Sequence, residues 1–497
     1  MVQSPMPSPN VVVIMADQLK ASALGLYGNR ACPTPNLERL AAEGVAFDAA
    51  VTPHPLCVPA RVAFWTSRYP HQTGCRRNET LMPPGTRHAF RIWKERGYAC
   101  ALIGKNHCFQ QDDYEELFDT WLELGHAGVV DGDRQKGEWS VDLDELRRVH
   151  REASERLTGP DRHLKSYAPD CTPLGHTTGV VAAQACDYIA SRGSQPFALW
   201  LSLPAPHEPY VVPRSYYDRI DPESIEIPDF DEEELAAAPR RTRFLYRMLN
   251  AKGREQELRE SVRTYLANAL FIDEAVGEIV DAIEQAGLRE NTIVVFCADH
   301  GDFSGEHNMM VKGGCFYDCL TRVPLVVSWP GRIPMGVRER SPVNLVDVVP
   351  TIFSLADGEV PREMAGTPLP GCTGTPPRDA AFSEYGAGME LLPPEVEEET
   401  FAAHEGVDAL LATLRWREAE GRRAMVRTER WKYTYDPMDP VDELYDLVAD
   451  PGERRNLAAL EEYADVVSRL RGRLLDWSLE TQDPVPVSHP AAELRHP

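Results

Sequence analysis

Polar side chains suited to acid–base chemistry and metal binding follow four separate apolar runs of this sequence. Asp17-Gln18 follows the first run, and Lys105 and His107 follow the second. His207 comes after the third run, and Asp299-His300 comes after the fourth. In open α/β sheets the functional crevice lies beyond the carboxyl ends of the strands. If each run is a parallel strand, these side chains meet at one edge of one sheet.

A cysteine and an arginine one helical turn apart form a fifth candidate. Cys57-Val58-Pro59-Ala60-Arg61 leads into the apolar helical stretch 62–66. A cysteine at a helix N-terminus lies in an electropositive position, which suits an activated side chain and a bound anion. The pattern C-x-P-x-R is weak by itself and gains its weight from the four strand ends.

Alternating strands and helices must position these residues. We predict strands over 11–15, 98–103, 197–203 and 292–298, and helices over 36–43, 86–96, 180–191 and 258–286. The strand runs are short and apolar, as in buried parallel strands. Thr34 and Pro35 are suited to cap and begin the first helix. The alternation predicts an α/β fold with a doubly wound, mostly parallel sheet.

The chain is predicted to divide near residue 372. Residues 1–371 carry the alternating pattern, interrupted by polar insertions at 131–165 and 221–257. Residues 372–497 are predicted to form a smaller α+β subdomain. Its pattern indicates antiparallel strands within 423–435, a closing helix over 460–475 and a further helix over 401–415.

Taken together, the motifs resemble those of the formylglycine-dependent sulfatases. This family belongs to the alkaline phosphatase superfamily and is related to the phosphonate monoester hydrolases. The similarity covers nearly the whole chain, and its matching segments are Ala16-Asp17-Gln18, 34–37, 57–61 with 66–70, 104–107, 206–210, 298–301, 305–307, Lys312, and the tail segments 442–446, 450–453 and 456–457. The resemblance implies an alkaline phosphatase-like fold and hydrolysis of a sulfate monoester.

The resemblance implies that Cys57 is oxidised to formylglycine, by a formylglycine-generating enzyme acting on the nascent chain. The hydrated aldehyde offers one hydroxyl as a covalent nucleophile and a second hydroxyl that expels the bound anion. The same resemblance makes Asp17, Gln18, Asp299 and His300 the ligands of one divalent metal ion, with residue 57 completing the shell. An oxygen-rich shell favours calcium, and the imidazole ligand makes manganese the next choice.

The remaining site residues are assigned by the same resemblance. Arg61, Lys105 and Lys312 match cations that contact the nucleophile and the substrate anion. With the metal they leave about three positive charges in the pocket, which would stabilise an anionic transition state. His107 would accept a proton from the spare hydroxyl, and His207 with Lys312 would protonate the departing oxygen. His54 and His307 lie in matching segments and are expected to be structural or peripheral.

The substrate class remains open between related anions. Lys105 and His107 resemble the sulfatase arrangement, whereas Gln18 together with Asp299-His300 also resembles the phosphonate monoester hydrolases. We favour the sulfatase interpretation because the lysine and the histidine contact the reacting group. The alternatives are a phosphonate monoester or phosphodiester hydrolase using the same site, and a non-catalytic relative if Cys57 stays unmodified. The organic part of the substrate cannot be read from any motif.

Composition excludes some partners. The 497 residues carry 52 Lys and Arg against 77 Asp and Glu, a net charge of −25 that disfavours nucleic acids and anionic membranes. No apolar run has the length of a membrane span or a signal peptide. The eleven cysteines include no CxxC pair, and we expect reduced thiols in the cytoplasm. The expected partner is a small anionic ester, and assembly into a homo-oligomer is possible.

Overall fold

The computed structural model describes residues 8–482 except 127, 130–134 and 138. Its strands are β1 (Asn10–Asp17), β2 (Gly44–Phe47), β3 (Ala50–Val51), β4 (Ala99–Gly104), β5 (Thr120–Gly125), β6 (Gly128–Val129), β7 (Gln135–Lys136), β8 (Ser166–Tyr167), β9 (Phe197–Pro206), β10 (Tyr210–Val211), β11 (Thr292–Ala298), β12 (Arg322–Val323), β13 (Leu325–Ser328), β14 (Val337–Glu339), β15 (Val343–Asn344), β16 (Ala381–Tyr385), β17 (Arg423–Arg427), β18 (Trp431–Tyr435) and β19 (Glu443–Asp446).

The α-helices alternate with these strands over much of the chain. They are α1 (Pro35–Ala42), α2 (Cys57–Thr66), α3 (Pro70–Thr73), α4 (Ala89–Glu95), α5 (Tyr114–Leu117), α6 (Asp144–Arg156), α7 (Thr177–Ala190), α8 (Arg214–Tyr217), α9 (Arg240–Leu249), α10 (Glu255–Gln285), α11 (Asp318–Thr321), α12 (Val348–Asp357), α13 (Pro394–Ala403), α14 (Gly406–Ala419) and α15 (Ala464–Glu480).

A large mixed sheet forms the centre of the molecule. Its strand order is β14-β2-β13-β11-β1-β9-β4-β5-β6, and β7 pairs with β5. The five strands from β11 to β5 pair in parallel, and antiparallel pairs flank them. β1, β9 and β11 are buried along their whole length, as central parallel strands covered by helices should be. The predicted doubly wound, mostly parallel fold is therefore confirmed.

Helices cover the sheet in two groups. α7 and α10 pack on each other and on β9, and α1 and α8 pack on α10. In the second group, α2 packs against α3, α4 and α12, while α4 contacts β4. Because α2 begins at Cys57, this packing fixes the start of the C-x-P-x-R segment relative to the sheet.

The C-terminal part contains a four-stranded antiparallel sheet in the order β16-β17-β18-β19. α15 packs on β17 and β18, and buries Leu470, Leu474 and Trp477 in a core separate from that of the central sheet. Ala63 and Tyr69, near the end of α2, join this core. The predicted antiparallel strands and the closing helix are confirmed.

Two local predictions were wrong. The single helix expected over 401–415 is instead two helices, α13 and α14, because His404 and Glu405 are extended and Gly406 adopts a φ of 52°. A Cβ at Gly406 would lie 2.1 Å from the carbonyl oxygen of Pro160, so the chain turns where only glycine fits. Thr34 does not cap α1, since its hydroxyl accepts a hydrogen bond from the Leu26 N–H instead.

The insertion predicted at 131–165 lies partly outside the described residues. Its described portion contains α6, which buries Leu146, Val149 and Ala153 and is therefore packed against the body rather than a polar loop. The insertion at 221–257 contains α9, which packs against α14. Both insertions thus contain helices with buried faces.

Candidate active site

The carboxyl ends of four adjacent strands deliver the site. β1 ends at Asp17, β4 is followed by Lys105, β9 by His207 and β11 by Asp299. These strands are neighbours in the order β11-β1-β9-β4, so their ends lie along one edge. The predicted convergence is therefore what the sheet topology produces.

A compact cluster at this edge has the donors of a divalent-metal site. Asp17, Cys57, Asp299 and His300 each offer one ligand atom, and these atoms all lie within 4.8 Å of one another. All four residues are buried. The Nδ1–H of His300 donates to the Gly301 carbonyl at 2.9 Å, so its Nε2 is left to face the Cys57 Sγ at 3.1 Å. Two carboxylates and a neutral imidazole nitrogen fit a divalent cation.

Gln18 lies beside this cluster with its amide fully engaged. Its backbone N–H donates to Asp299 Oδ1 at 3.0 Å. Its side-chain oxygen accepts from the Lys312 ammonium at 2.6 Å, and its side-chain nitrogen donates to Glu208 at 2.9 Å and Asp302 at 2.5 Å. The residue is thus at the site, and its predicted role as a metal ligand stays a prediction.

Arg61 connects the two acidic strand ends. It is fully buried, its Nε lies 2.8 Å from Asp299 Oδ2 and its Nη2 lies 3.4 Å from Asp17 Oδ2. Its Nη1 donates to Ser202 Oγ at 2.7 Å and to the Lys105 carbonyl at 3.1 Å. Burial alone would lower its pKa, but the charges of Asp299 and Asp17 raise it, so the guanidinium stays charged. The geometry fixes both carboxylates in place.

Two lysines approach the cluster from different sides. Lys105 Nζ forms an ion pair with Asp17, and Lys312 Nζ lies 3.3 Å from Cys57 Sγ. Burial would raise the pKa of Asp17, but Lys105, His207 and Arg61 hold it well below its usual range. Burial and Asp17 would also raise the pKa of the Cys57 thiol, yet Lys105 and Lys312 lower it. An anion at residue 57 is therefore electrostatically favoured.

Three histidines line one side of the site, and one of them was missed at the sequence level. The ring of His126 stacks on His207 with centroids 3.6 Å apart, and contacts His107 edge-on at 6.4 Å. Its Nε2 accepts a hydrogen bond from Lys105 Nζ at 2.6 Å. Burial and the charges of Lys105 and Arg61 lower the pKa of His107 to about 2, and burial and His126 hold that of His207 well below its usual range. No motif marks His126, which lies in a turn after β5.

Two further residues join the site from distant parts of the sequence. The Asn78 Oδ1 accepts from the Val58 N–H at 3.1 Å, in the first turn of α2. Asn78 in turn donates from its backbone and its side chain to the two oxygens of Glu418, both at 3.0 Å. Glu418 lies on α14, so the C-terminal part of the chain reaches the helix that begins at Cys57. Nothing in local spacing could have indicated this pair.

His54 and His307, which were expected to be structural or peripheral, both stack on tyrosine rings. His54 is buried and stacks on Tyr385 at 5.0 Å, and burial lowers its pKa to about 3. His307 stacks on Tyr317 at 3.9 Å. Neither ring belongs to the cluster of Asp17, Cys57, Asp299 and His300.

Comparison with known proteins identifies the family. A sequence model of the sulfatase family matches residues 9–358. The chain belongs to the sulfatase family. It is therefore a hydrolase of the sulfatase type, as the motifs predicted.

The relatives of this sulfatase align along most of their length. It is 27% identical to the uncharacterized sulfatase YidJ of Escherichia coli K12, covering 96% of this chain and 89% of that protein. It is 29% identical to the choline-sulfatase of Rhizobium meliloti, covering 90% and 82%. Among solved structures, the phosphonate monoester hydrolase of Agrobacterium radiobacter matches with a TM-score of 0.73 and 23% identity, covering 95% and 96%. The last comparison establishes a shared fold.

One finding bears on membrane association. Among the described residues of the sulfatase, no helix combines the length and the apolar character that a membrane span requires.

Proposed function

We propose that this sulfatase hydrolyses sulfate monoesters through a formylglycine at position 57 and one divalent metal ion. The observation that carries the proposal is the convergence of Asp17, Asp299 and His300 on the side chain of residue 57. A modified residue 57 would lie at the N-terminus of α2, against the carboxylates and beside Lys312. Formylglycine supplies a hydroxyl nucleophile once its aldehyde is hydrated.

The metal would be held by Asp17, Gln18, Asp299, His300 and the oxidised side chain of residue 57. Calcium is our first choice because most of these donors are oxygen atoms, and manganese is the second because of His300. A divalent ion here would supply Lewis acidity, which would make the hydroxyl of residue 57 more acidic.

The protein side chains would stabilise the anion and move the protons. Arg61, Lys105 and Lys312 are aimed at the cluster, and their charges would offset the charge that builds up on the sulfate oxygens. His107 would accept the proton of the spare hydroxyl, since its buried Nδ1 has no hydrogen-bond partner among the described residues. The Nδ1–H of His207 donates to the Glu208 carbonyl at 2.6 Å, so its Nε2 would face the departing oxygen together with Lys312.

A second candidate is hydrolysis of phosphonate monoesters or phosphodiesters at the same site. Gln18 beside Asp17, paired with Asp299-His300, supports it, and so does the fold shared with a phosphonate monoester hydrolase. These substrates carry one negative charge, as a sulfate monoester does.

A non-catalytic anion-binding relative is the third candidate if Cys57 is unmodified. We rank sulfate first because Lys105 and His107 resemble the sulfatase arrangement, and Lys105 adds a positive charge beside Asp17.

Side-by-side assays separate these candidates. We expect an aryl sulfate to be hydrolysed with the highest kcat/KM, and a phenyl phosphonate ester and a phosphodiester with lower values. Activity should disappear on chelation and return with calcium or manganese. A preference for the phosphonate ester would make the second candidate the correct one, and no turnover by protein with an unmodified Cys57 would favour the third.

The cellular setting belongs to the same proposal. We propose that a formylglycine-generating enzyme modifies the nascent chain, that the mature protein works in the cytoplasm, and that it acts on a small anionic ester. Sedimentation or light scattering can test the further expectation that it assembles into a homo-oligomer.

A further inference from the structure

One carboxylate beside the site has no role in the proposed reaction. Glu208 directly follows His207, and its side chain is 36% exposed, whereas Asp17, Cys57, Asp299 and His300 are buried. Its Oε2 accepts from the Gln18 amide at 2.9 Å and lies 3.2 Å from the His207 ring. Within the described part of the chain, no lysine or arginine forms an ion pair with Glu208. Burial raises the pKa of Glu208, and the charge of Lys312 offsets this rise only in part, so the carboxylate lacks a full counter-charge.

The other nearby carboxylates are already satisfied. Both oxygens of Glu418 accept hydrogen bonds from Asn78. Asp302 is fully buried and accepts from Gln18, from the Tyr210 hydroxyl at 2.8 Å and from the Ser304 N–H at 2.6 Å. Glu208 therefore differs from both in its exposure and in its spare acceptor capacity.

The position of Glu208 relates it to the leaving group. The amide of Gln18 accepts from Lys312 through its oxygen and donates to Glu208 through its nitrogen, so it bridges the two side chains. Lys312 and His207 are the groups proposed to hold the departing oxygen. Glu208 contacts His207 and is bridged to Lys312 through Gln18, so an alcohol whose oxygen is held by these two groups would have its next few atoms near Glu208.

We propose that Glu208 binds a positive charge on the alcohol, and that the substrates are sulfate esters of short amino alcohols. The inference rests on the proposed function and names its substrate class. The sulfate end of such a zwitterion would meet Arg61, Lys105 and Lys312, while the cationic end would meet Glu208. The opposite charges at the two ends of the site would select the orientation of the substrate and a cationic alcohol group. Anionic alcohols such as uronates would be repelled by Glu208.

A pair of isosteric substrates tests the proposal. The wild-type enzyme should hydrolyse 2-aminoethyl sulfate with a kcat/KM at least tenfold above that for propyl sulfate, which has the same shape and no charge. In the variant Glu208→Gln this ratio should fall at least tenfold, and in Glu208→Asp it should be partly retained. Glu226→Gln is the matched control, because it removes the same charge from an exposed position and should leave the ratio unchanged.

Each other result counts against the proposal. A wild-type ratio near one, or a ratio that Glu208→Gln leaves unchanged, overturns it. An equal loss on both substrates means that Glu208 only supports Gln18, which also overturns it. If neither sulfate is hydrolysed but the 2-aminoethyl and propyl esters of methylphosphonic acid are, the proposed function is wrong, and the same ratio measured on those esters decides the role of Glu208. Hydrolysis of neither pair by protein carrying formylglycine refutes both.

Discussion

Single residues at this site act through several contacts at once, and Arg61 shows this best. Its guanidinium binds both acidic strand ends, a serine of β9 and the carbonyl of Lys105. A planar group with five fixed donors can satisfy such a set, whereas an ammonium cannot. Arg61 therefore orders the cluster as well as charging it.

Replacing Arg61 by lysine should disable the site. We expect Arg61→Lys to lower kcat/KM by at least about 100-fold, which corresponds to about 2.7 kcal/mol of transition-state stabilisation. Steady-state kinetics at saturating metal provide the measurement, and the thermal midpoint checks that the variant is folded. A folded variant within threefold of wild type would contradict this role.

His126 is expected to position its neighbours rather than to react. The variant His126→Ala loses both the acceptor for Lys105 and the ring that stacks on His207, and we expect kcat to fall about tenfold, a modest barrier change of about 1.4 kcal/mol. His126→Gln keeps an acceptor for Lys105 and should recover part of the loss. Equal activity of the wild type and both variants would show that the stack is dispensable.

The sequence pattern indicated residues that follow predicted strand ends or lie one helical turn apart, whereas Lys312 was assigned by the family resemblance alone. Cys57 and Arg61 are one turn apart, and Asp17 and Asp299 end adjacent strands. His126, Asn78 and Glu418 were missed because their contacts depend on tertiary packing that no local pattern encodes.

At the scale of elements, the end of β4 sets the position of Lys105. Gly104 has a φ of 109°, and a Cβ there would lie 1.9 Å from the Ser202 carbonyl oxygen of β9. The two backbones therefore approach too closely for any other residue. The bounds of β11 were predicted correctly, since its run is apolar throughout, whereas the break between α13 and α14 was missed because it depends on a contact between Gly406 and Pro160.

Replacing Gly104 by alanine should lower the free energy of unfolding far more than the same replacement at Gly97. We expect Gly104→Ala to cost about 3 kcal/mol or more, since it combines a strained φ with a backbone clash. Gly97→Ala has a φ of 81° but meets nothing within 4 Å, so strain alone should cost about 1 kcal/mol. Chemical unfolding of the two variants measures both losses. Equal losses of unfolding free energy would contradict the close approach of the β4 and β9 backbones.

At the scale of the whole molecule, the C-terminal sheet is tied to the central body near the site. His71 in α3 donates its backbone N–H to Glu384 of β16 at 2.8 Å, and its ring Nδ1 also lies 2.8 Å from that carboxylate. The other ring nitrogen lies 2.9 Å from the Thr481 carbonyl, just after α15. Because α14 also supplies Glu418, this part of the chain contributes to the site as well as to stability.

The stability of this junction should depend on pH. Burial would lower the pKa of His71, but the hydrogen bond and charge of Glu384 raise it above its usual value. A raised pKa means that the stabilisation is fully present below pH 6.5 and is lost as pH rises through the folded-state value. His71→Gln should therefore cost about 1–2 kcal/mol at pH 6 and less at pH 9.

Unfolding of the wild type and His71→Gln at these two pH values measures the effect. His404→Gln is the control, because His404 is exposed. Its effect on the free energy of unfolding should not differ comparably between the two pH values. A larger loss at pH 9 than at pH 6 would reverse the sign and contradict the ion pair.

The alternating pattern predicted β1, β4, β9 and β11 of the central sheet, and β17 and β18 of the C-terminal sheet, because each is encoded by a short local run. The positions of α14 and of the turn at His126 were not predicted, since they depend on tertiary packing: Glu418 contacts Asn78 340 residues away, and His126 contacts Lys105 on a different strand end. The expected division at residue 372 stays a prediction.

The most direct test of the account is peptide mass spectrometry across residue 57, made on protein whose turnover of an aryl sulfate has been measured. We predict that the peptide carries an aldehyde in place of the thiol, and that activity across preparations rises in proportion to the modified fraction. Full activity in a preparation whose peptide retains only the cysteine thiol would contradict the central claim.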